Sequence, residues 1–303
     1  MSLLIATTVD DALAAMAAGA RPIAGGSDLV VGARHGKAPL PDSLVAIDRI
    51  AELRALDVDT SGAVRIGAGV SHHLIESHPV LVERFSALAD AAALVGSPST
   101  RHVGTIGGNV MNASPAMDTG APLVVLGASV ELRAVTGSRT MPIGELWIGP
   151  GRTAASPDEL CVAVHLPAPA SRCGSAYVRL EYRRAMEIAV VGAAASVTLA
   201  ADGTVTSVHA ALTAVAPTII AVAGLEHLAG ATVAEAAVAV GDAARQQATP
   251  ISDVRASDRY RRHTIAVMAQ RAVDAAARRA AGERVPVPVN RALGIGAATG
   301  GPS

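Results

Sequence analysis

Two short stretches carry the residue types best suited to chemistry: Ala24-Gly25-Gly26-Ser27-Asp28-Leu29 and Gly104-Thr105-Ile106-Gly107-Gly108-Asn109. Adjacent glycines let a backbone approach a ligand closely and point several N–H groups at one anion. Ser27, Thr105 and Asn109 add side-chain donors. Asp28 would repel a phosphate, and suits local backbone N–H groups or a sugar hydroxyl. Asn112, Ser114 and Asp118 follow the second turn in one polar stretch. Buried polar groups need partners, and a dinucleotide supplies many. The expectation is a pyrophosphate held from two sides by two distant turns. Neither G-x-x-x-x-G-K-[ST] nor G-x-G-x-x-G occurs, so a P-loop and a Rossmann fingerprint are both excluded.

Composition narrows the remaining chemistry. The chain has 303 residues, 50% of them hydrophobic, with a formal net charge of −1. Nothing there points to nucleic acid or an anionic membrane. Arg259, Arg261 and Arg262 fall in a helical pattern and read as a solvated helix face. Only two cysteines are present, Cys161 and Cys173. They allow one disulfide but not a four-thiolate zinc or iron–sulfur site. Aromatic content is 2%, which rules out a ladder of stacked rings for single-stranded nucleic acid. His72 and His73 lack a third ligand at metal-site spacing and read as capping or exposed residues at a loop-to-helix turn. His35, His78 and His102 read as structural or solvent-facing. No G-x-S-x-G surrounds a serine, and no residue stands out as a catalytic acid or base. The start lacks a charged n-region and no apolar run reaches the roughly 18 residues of a membrane span, so a cytoplasmic protein is expected.

The elements that position the two turns follow from patterning. Thr8 with Asp11 forms a capping box, Leu13, Met16 and Ala17 give the apolar stripe, and Gly19 suits the helix stop. Arg21–Ala24 is a strand running into Gly25. Residues 44–47, 63–67, 129–135 and 160–166 read as strands, 79–95 as one helix, and 121–128 as a packed helix. Residues 166–174 read as a linker. Three candidate strands follow, 176–182, 191–199 and 205–214, then mostly helix from about 223 to 281. Ile265, Met268, Ala272 and Ala276 share one face of the last helix. Strands followed by helices suggest an α+β unit with an antiparallel sheet against a helical bundle. Glu181, Arg183, Arg184 and Glu187 suit ion pairs across strands or at a surface.

AGGSDL at 24–29 and GTIGGNVMNASPAMD at 104–118 resemble the two flavin signatures of the molybdenum hydroxylases, in their FAD-binding medium subunit or domain. The likeness continues in Asp158-Glu159-Leu160, in Tyr177-Val-Arg-Leu-Glu-Tyr-Arg-Arg-Ala-Met-Glu-Ile-Ala, and in Arg255-Ala-Ser-Asp-Arg-Tyr-Arg-Arg-His, spanning about residues 3 to 280. Around Gly149-Pro-Gly-Arg it is nearest to bacterial xanthine dehydrogenase flavin subunits. Carbon monoxide dehydrogenases of this family typically carry His after the first glycine pair, where Ser27 stands here.

The resemblance implies an α+β fold. A two-part FAD-binding domain of the vanillyl-alcohol-oxidase/MurB-like type would occupy 1–170, with subdomains of about 1–55 and 56–170. A C-terminal domain with a three-stranded sheet and helices would occupy 171–284, and 285–303 would be an extended or disordered tail. It implies that Ala24 to Leu29 wrap the FAD pyrophosphate with Pro22 and Ile23 leading in, and that Thr105 to Asn109 hold it from the other side. Asp118 would contact ribityl or nearby sugar hydroxyls with help from Ser114. Leu160 would lie against the flavin ring, and Arg179 stands where relatives often have lysine near the ring. Val95 takes a place where relatives can carry an aromatic ring. A large molybdopterin subunit and a small subunit with two [2Fe–2S] clusters would be partners, in a dimer of heterotrimers. Electrons would reach FAD and leave to an external acceptor such as NAD, while the complex hydroxylates a purine or another N-heterocycle. A stand-alone flavin oxidoreductase and a nonredox nucleotide-binding protein are the alternatives.

Overall fold

The computed structural model describes residues 1–36, 38–183 and 185–295. The chain packs as two units. One comprises Met1–Leu74, Pro98–Ala113 and Gly127–Ala168; the other comprises Ile75–Ser97, Ser114–Leu126 and the described residues from Pro169 on. Packing thus divides the chain differently from a single cut near residue 170. Segments 75–97 and 114–126 pack with the second unit because they carry apolar helices. Every residue of the helix Ser86–Ala92 is buried, as are five of six in Gly120–Val125.

The first unit holds three sheets. Strands β1 (Ser2–Ile5), β2 (Arg21–Ile23) and β3 (Ser43–Ala46) pair in parallel in the order β1-β3-β2. Strands β4 (Leu56–Val58), β5 (Val64–Gly67), β6 (Ser129–Ala134) and β7 (Gly137–Pro142) belong to a larger antiparallel sheet. A small hairpin, β8 (Trp147–Gly149) and β9 (Arg152–Thr153), precedes β10 (Leu160–Leu166), which sits at the centre of the large sheet, ordered β4-β5-β10-β6-β7. Between β1 and β2 the helix Val9–Ala17 begins at the Thr8–Asp11 capping box and stops before Gly19 at φ +90°, as its sequence signals require. Val9, Leu13 and Met16 pack with Val45, Ile50, Leu53, Leu160 and Val162 in one apolar cluster. That cluster fixes β2, and with it the exit of the chain into Gly25.

The second unit is an antiparallel sheet against helices, the α+β arrangement expected. Strands β11 (Cys173–Leu180), β12 (Val191–Leu199) and β13 (Val205–Thr213) lie as predicted, and a two-residue β14 (Ile220–Ala221) adds a fourth strand to the three anticipated. Alternation sorts each strand into two faces. Ala176, Val178, Val191, Ala193, Ala195 and Val197 face the helix Asp258–Ala280, on which the helix Val233–Gln247 packs in turn. The buried face of Asp258–Ala280 is mostly alanine, so the layers approach closely: a Cβ on Gly174 would fall 2.3 Å from the carbonyl oxygen of Ala276. The opposite face presents Ser175, Tyr177 and Arg179.

Four expectations need correction. The single helix expected over 79–95 is two helices, Pro79–Arg84 and Ser86–Ala92, broken at Phe85 (φ −127°, ψ 41°). The stretch expected to be helical from 223 contains a 3-10 turn and two separate helices. Arg261 is not on a solvated face: it is 2% exposed, donating to the Ala214 carbonyl at 3.0 Å and pairing with Asp253 at 2.7 Å. The tail is docked through Val289 and Asn290, both buried; residues 296–303, also assigned to the tail, lie outside the described residues.

Candidate functional site

The two glycine turns meet within the first unit. Strand β2 ends at Ile23, whose carbonyl accepts from Ile47 N–H at 3.0 Å. Pro22, Ile23 and Ala24 are half-buried and carry the chain into Gly25. A Cβ at Gly25 would sit 1.7 Å from the carbonyl oxygen of Val103, so only glycine lets the first turn lie against the segment leading into the second. Gly26 has φ +68°, a conformation that L side chains rarely adopt. The carbonyls of Gly26 and Asp28 accept from Val30 and Gly32 at 2.9 and 2.7 Å, starting the helix Leu29–Arg34. The N–H groups of Gly25, Gly26 and Ser27 have no acceptor among the described residues, and neither has the Ser27 hydroxyl. Three successive uncommitted amides bent through a left-handed glycine are the concavity that binds anions.

The second turn works differently from the expectation that its glycines bare the backbone to ligand. All four N–H groups from 106 to 109 are taken. Ile106 donates to Val70 O at 3.0 Å, Gly107 to Ala68 O at 2.8 Å, Gly108 to Thr105 Oγ1 at 3.1 Å and Asn109 to Thr105 O at 3.0 Å. Thr105 also bridges to Ser71. Gly107 is demanded by packing, because its Cβ would fall 2.5 Å from the Ala68 Cβ and 2.7 Å from the Ala68 carbonyl oxygen. The turn is a rigid brace for the first one. Leu160 is 4% exposed and lies in the apolar cluster of this unit.

His72 is a residue that sequence reasoning placed at an exposed turn and that belongs here. It is 1% exposed, its backbone N–H donates to Gly104 O at 3.1 Å, and burial together with the nearby Arg101 charge holds its imidazole down to about 4. The Ser71–Thr105 pairing brings it in; nothing local in Ser-His-His announces that. His73 stacks on His102 with ring centroids 3.9 Å apart.

Asp118, Arg179 and Ser114 belong to the second unit. Arg179 is fully buried. Its guanidinium donates to Asp118 at 2.8 Å, to Glu181 at 2.5 and 3.0 Å, and to the Leu94 carbonyl at 3.0 Å. The other Asp118 oxygen accepts from the Tyr177 hydroxyl at 2.8 Å. Burial pushes the Asp118 carboxyl up, with Arg179 opposing; the Tyr177 phenol is held well above its ordinary value by burial and by the Asp118 charge. The single cation is therefore offset by two carboxylates rather than standing as uncompensated positive charge. Ser114 closes a local turn, its hydroxyl accepting from Ala116 N–H at 3.3 Å. Tyr177 and Glu181 were missed as partners, although Tyr177, Arg179 and Glu181 alternate and so share one face of the strand and its extension.

The family models of known proteins divide the chain near residue 170. Residues 1–169 match the family described as FAD binding domain in molybdopterin dehydrogenase, and 176–276 match the CO dehydrogenase flavoprotein C-terminal domain. The chain is 30% identical to the xanthine dehydrogenase FAD-binding subunit of Escherichia coli O157:H7 over 283 residues, 92% of this chain and 96% of that one. It is 34% identical to the carbon monoxide dehydrogenase medium chain of Hydrogenophaga pseudoflava over 238 residues, 78% and 82% of the two chains. The solved carbon monoxide dehydrogenase from Hydrogenophaga pseudoflava superposes with a TM-score of 0.86 at 31% identity, covering 92% of this chain and 98% of its counterpart. The open amides and hydroxyl of the first turn fit the pyrophosphate of the cofactor that this family binds. The chain belongs to the FAD-binding subunits of the molybdopterin dehydrogenases.

Proposed function

We propose that this chain is the electron-transfer subunit of a molybdenum hydroxylase, standing between the [2Fe–2S] clusters of a small partner subunit and an external acceptor such as NAD. In this reading a large molybdopterin subunit hydroxylates a purine or another N-heterocycle, in a cytoplasmic dimer of heterotrimers. Ser27, in place of the histidine typical of carbon monoxide dehydrogenases, favours an organic substrate. Bound FAD supplies the redox chemistry; the protein supplies binding, orientation and exclusion of water.

One observation carries the cofactor assignment: the uncommitted N–H groups of Gly25, Gly26 and Ser27, with the Ser27 hydroxyl beside them. These four donors would hold the pyrophosphate. Pro22, Ile23, Ala24 and Leu29 hold the turn in place, and Thr105 to Asn109 brace it. Asp28, at the exposed end of the turn, suits a sugar hydroxyl. Ser27→Glu tests this directly. Ser27 is half-exposed, so the chain should fold, but a carboxylate would stand where the pyrophosphate belongs. The expected outcome is a loss of about 100-fold or more in FAD affinity, measured by flavin fluorescence with circular dichroism as the folding control. Unchanged affinity would place the pyrophosphate elsewhere.

A further inference from the structure

Beside the two turns, one buried side chain has an unmet hydrogen-bonding nitrogen. His72 is 1% exposed, and its Nδ1 has no partner among the described residues. Buried polar atoms are nearly always paired, and each exception calls for an explanation. The main chain of His72 is held to the second turn by its bond to Gly104. On the side-chain level, Cδ2 lies 3.3 Å from the point a Cβ on Gly104 would occupy, and Ser27 Oγ lies 3.6 Å from that same point. The imidazole and the hydroxyl of the first turn therefore flank one glycine. Cδ2 is bonded to Nε2, so the Cδ2–Nε2 edge of the ring is the one beside Gly104, and Nδ1 lies across the ring from it. With nothing to accept a proton from Nδ1, the neutral ring carries its hydrogen on Nε2.

We infer that His72 donates from Nε2 to the pyrophosphate held by the Gly25–Ser27 amides, an inference that rests on the flavin reading above. The ring adds a donor on the Gly104 side of the cradle, where the N–H groups of residues 106 to 109 are already engaged. Glycine at 104 keeps the way clear, since a side chain there would meet the imidazole and the Thr100 carbonyl, 3.0 Å away.

The test uses the full 303-residue chain, stripped of flavin and titrated with FAD by fluorescence, with thermal unfolding of each unliganded variant alongside. His72→Leu is expected to unfold no earlier than wild type, because it removes an unsatisfied buried nitrogen, and to bind FAD about 10-fold or more weakly. His72→Gln brings an amide nitrogen near the Nε2 position and should recover to within about 3-fold of wild type. His72→Asn brings its nitrogen near Nδ1 and should not recover. Equal affinity in wild type and His72→Leu overturns the assignment, and so does a His72→Gln variant no better than His72→Asn; the latter comparison decides even where leucine disturbs folding. A wild-type chain that takes up no FAD overturns the flavin reading itself, an outcome distinct from weak binding confined to the variants.

Discussion

His72 is also where the protein's response to acid can be read. Burial, reinforced by Arg101, lowers its imidazole from 6.5 to about 4. Between those values the unfolded chain binds a proton at this position and the folded chain does not. Stability is therefore full above about 6.5, falls as pH drops through the window and stops falling below about 4, with a total near 3 kcal/mol. Urea unfolding at a series of pH values should show His72→Leu losing that share of the acid slope; parallel curves for the two proteins would mean the ring is solvated. The glycines were visible from sequence, but their reasons were not. Gly25 and Gly107 look alike as members of glycine pairs. One leaves amides open, whereas the other is filled from behind by Ala68 and has its N–H engaged. Only long-range packing separates them, so a bulky residue at 107 tests folding rather than ligand contact. Arg179 shows the same limit: its charge was evident, and the two carboxylates that offset it were not.

The edge of the second sheet explains why the tail docks through Val289 and Asn290. Strand β11 has β12 on one side only, and an open edge invites unwanted pairing. Side chains occupy it instead. Asn290 accepts from Arg179 N–H at 3.0 Å and donates to Arg179 O at 2.7 Å. Asp90, wholly buried, accepts from Tyr177 N–H at 3.2 Å, from Val289 N–H at 2.9 Å and from the Arg279 guanidinium at 2.6 and 3.0 Å. The tail thus completes the strand that carries Tyr177 and Arg179. Asn290→Ala would strand both main-chain groups of Arg179, and should cost about 2 kcal/mol or more with loss of hydrogen-exchange protection at that amide. A change within about 0.5 kcal/mol would show that water replaces the asparagine freely. Local signals sufficed for the helices with capping boxes and for strands with strict alternation. They failed at Phe85 and in the Val-Pro-Val-Pro segment, because a break inside an apolar run and a docked tail are both decided by tertiary partners.

Taken whole, the molecule is built to hold a redox cofactor. Its two cysteines are free thiols, and Cys161 is buried with its thiol pushed up to about 12 by burial and the Glu131 charge. They are too few for an iron–sulfur cluster, whose ligation takes four protein ligands. In the second unit Asp118 pairs with Arg179 and the Tyr177 hydroxyl, and Asp90 with Arg279 and two main-chain N–H groups. No helix among the described residues is long and apolar enough to cross a membrane. The chain covers 96% of a xanthine dehydrogenase FAD-binding subunit, and the proposed assembly places the substrate chemistry on other chains. The FAD-loaded protein by itself should keep its flavin absorption unchanged on anaerobic addition of hypoxanthine or nicotinate, and lose it on addition of a chemical reductant. Co-expressed with molybdopterin and iron–sulfur subunits, the same flavin should bleach when the assembly's substrate is added. Bleaching of the isolated chain by an organic substrate would instead make it a self-sufficient oxidoreductase.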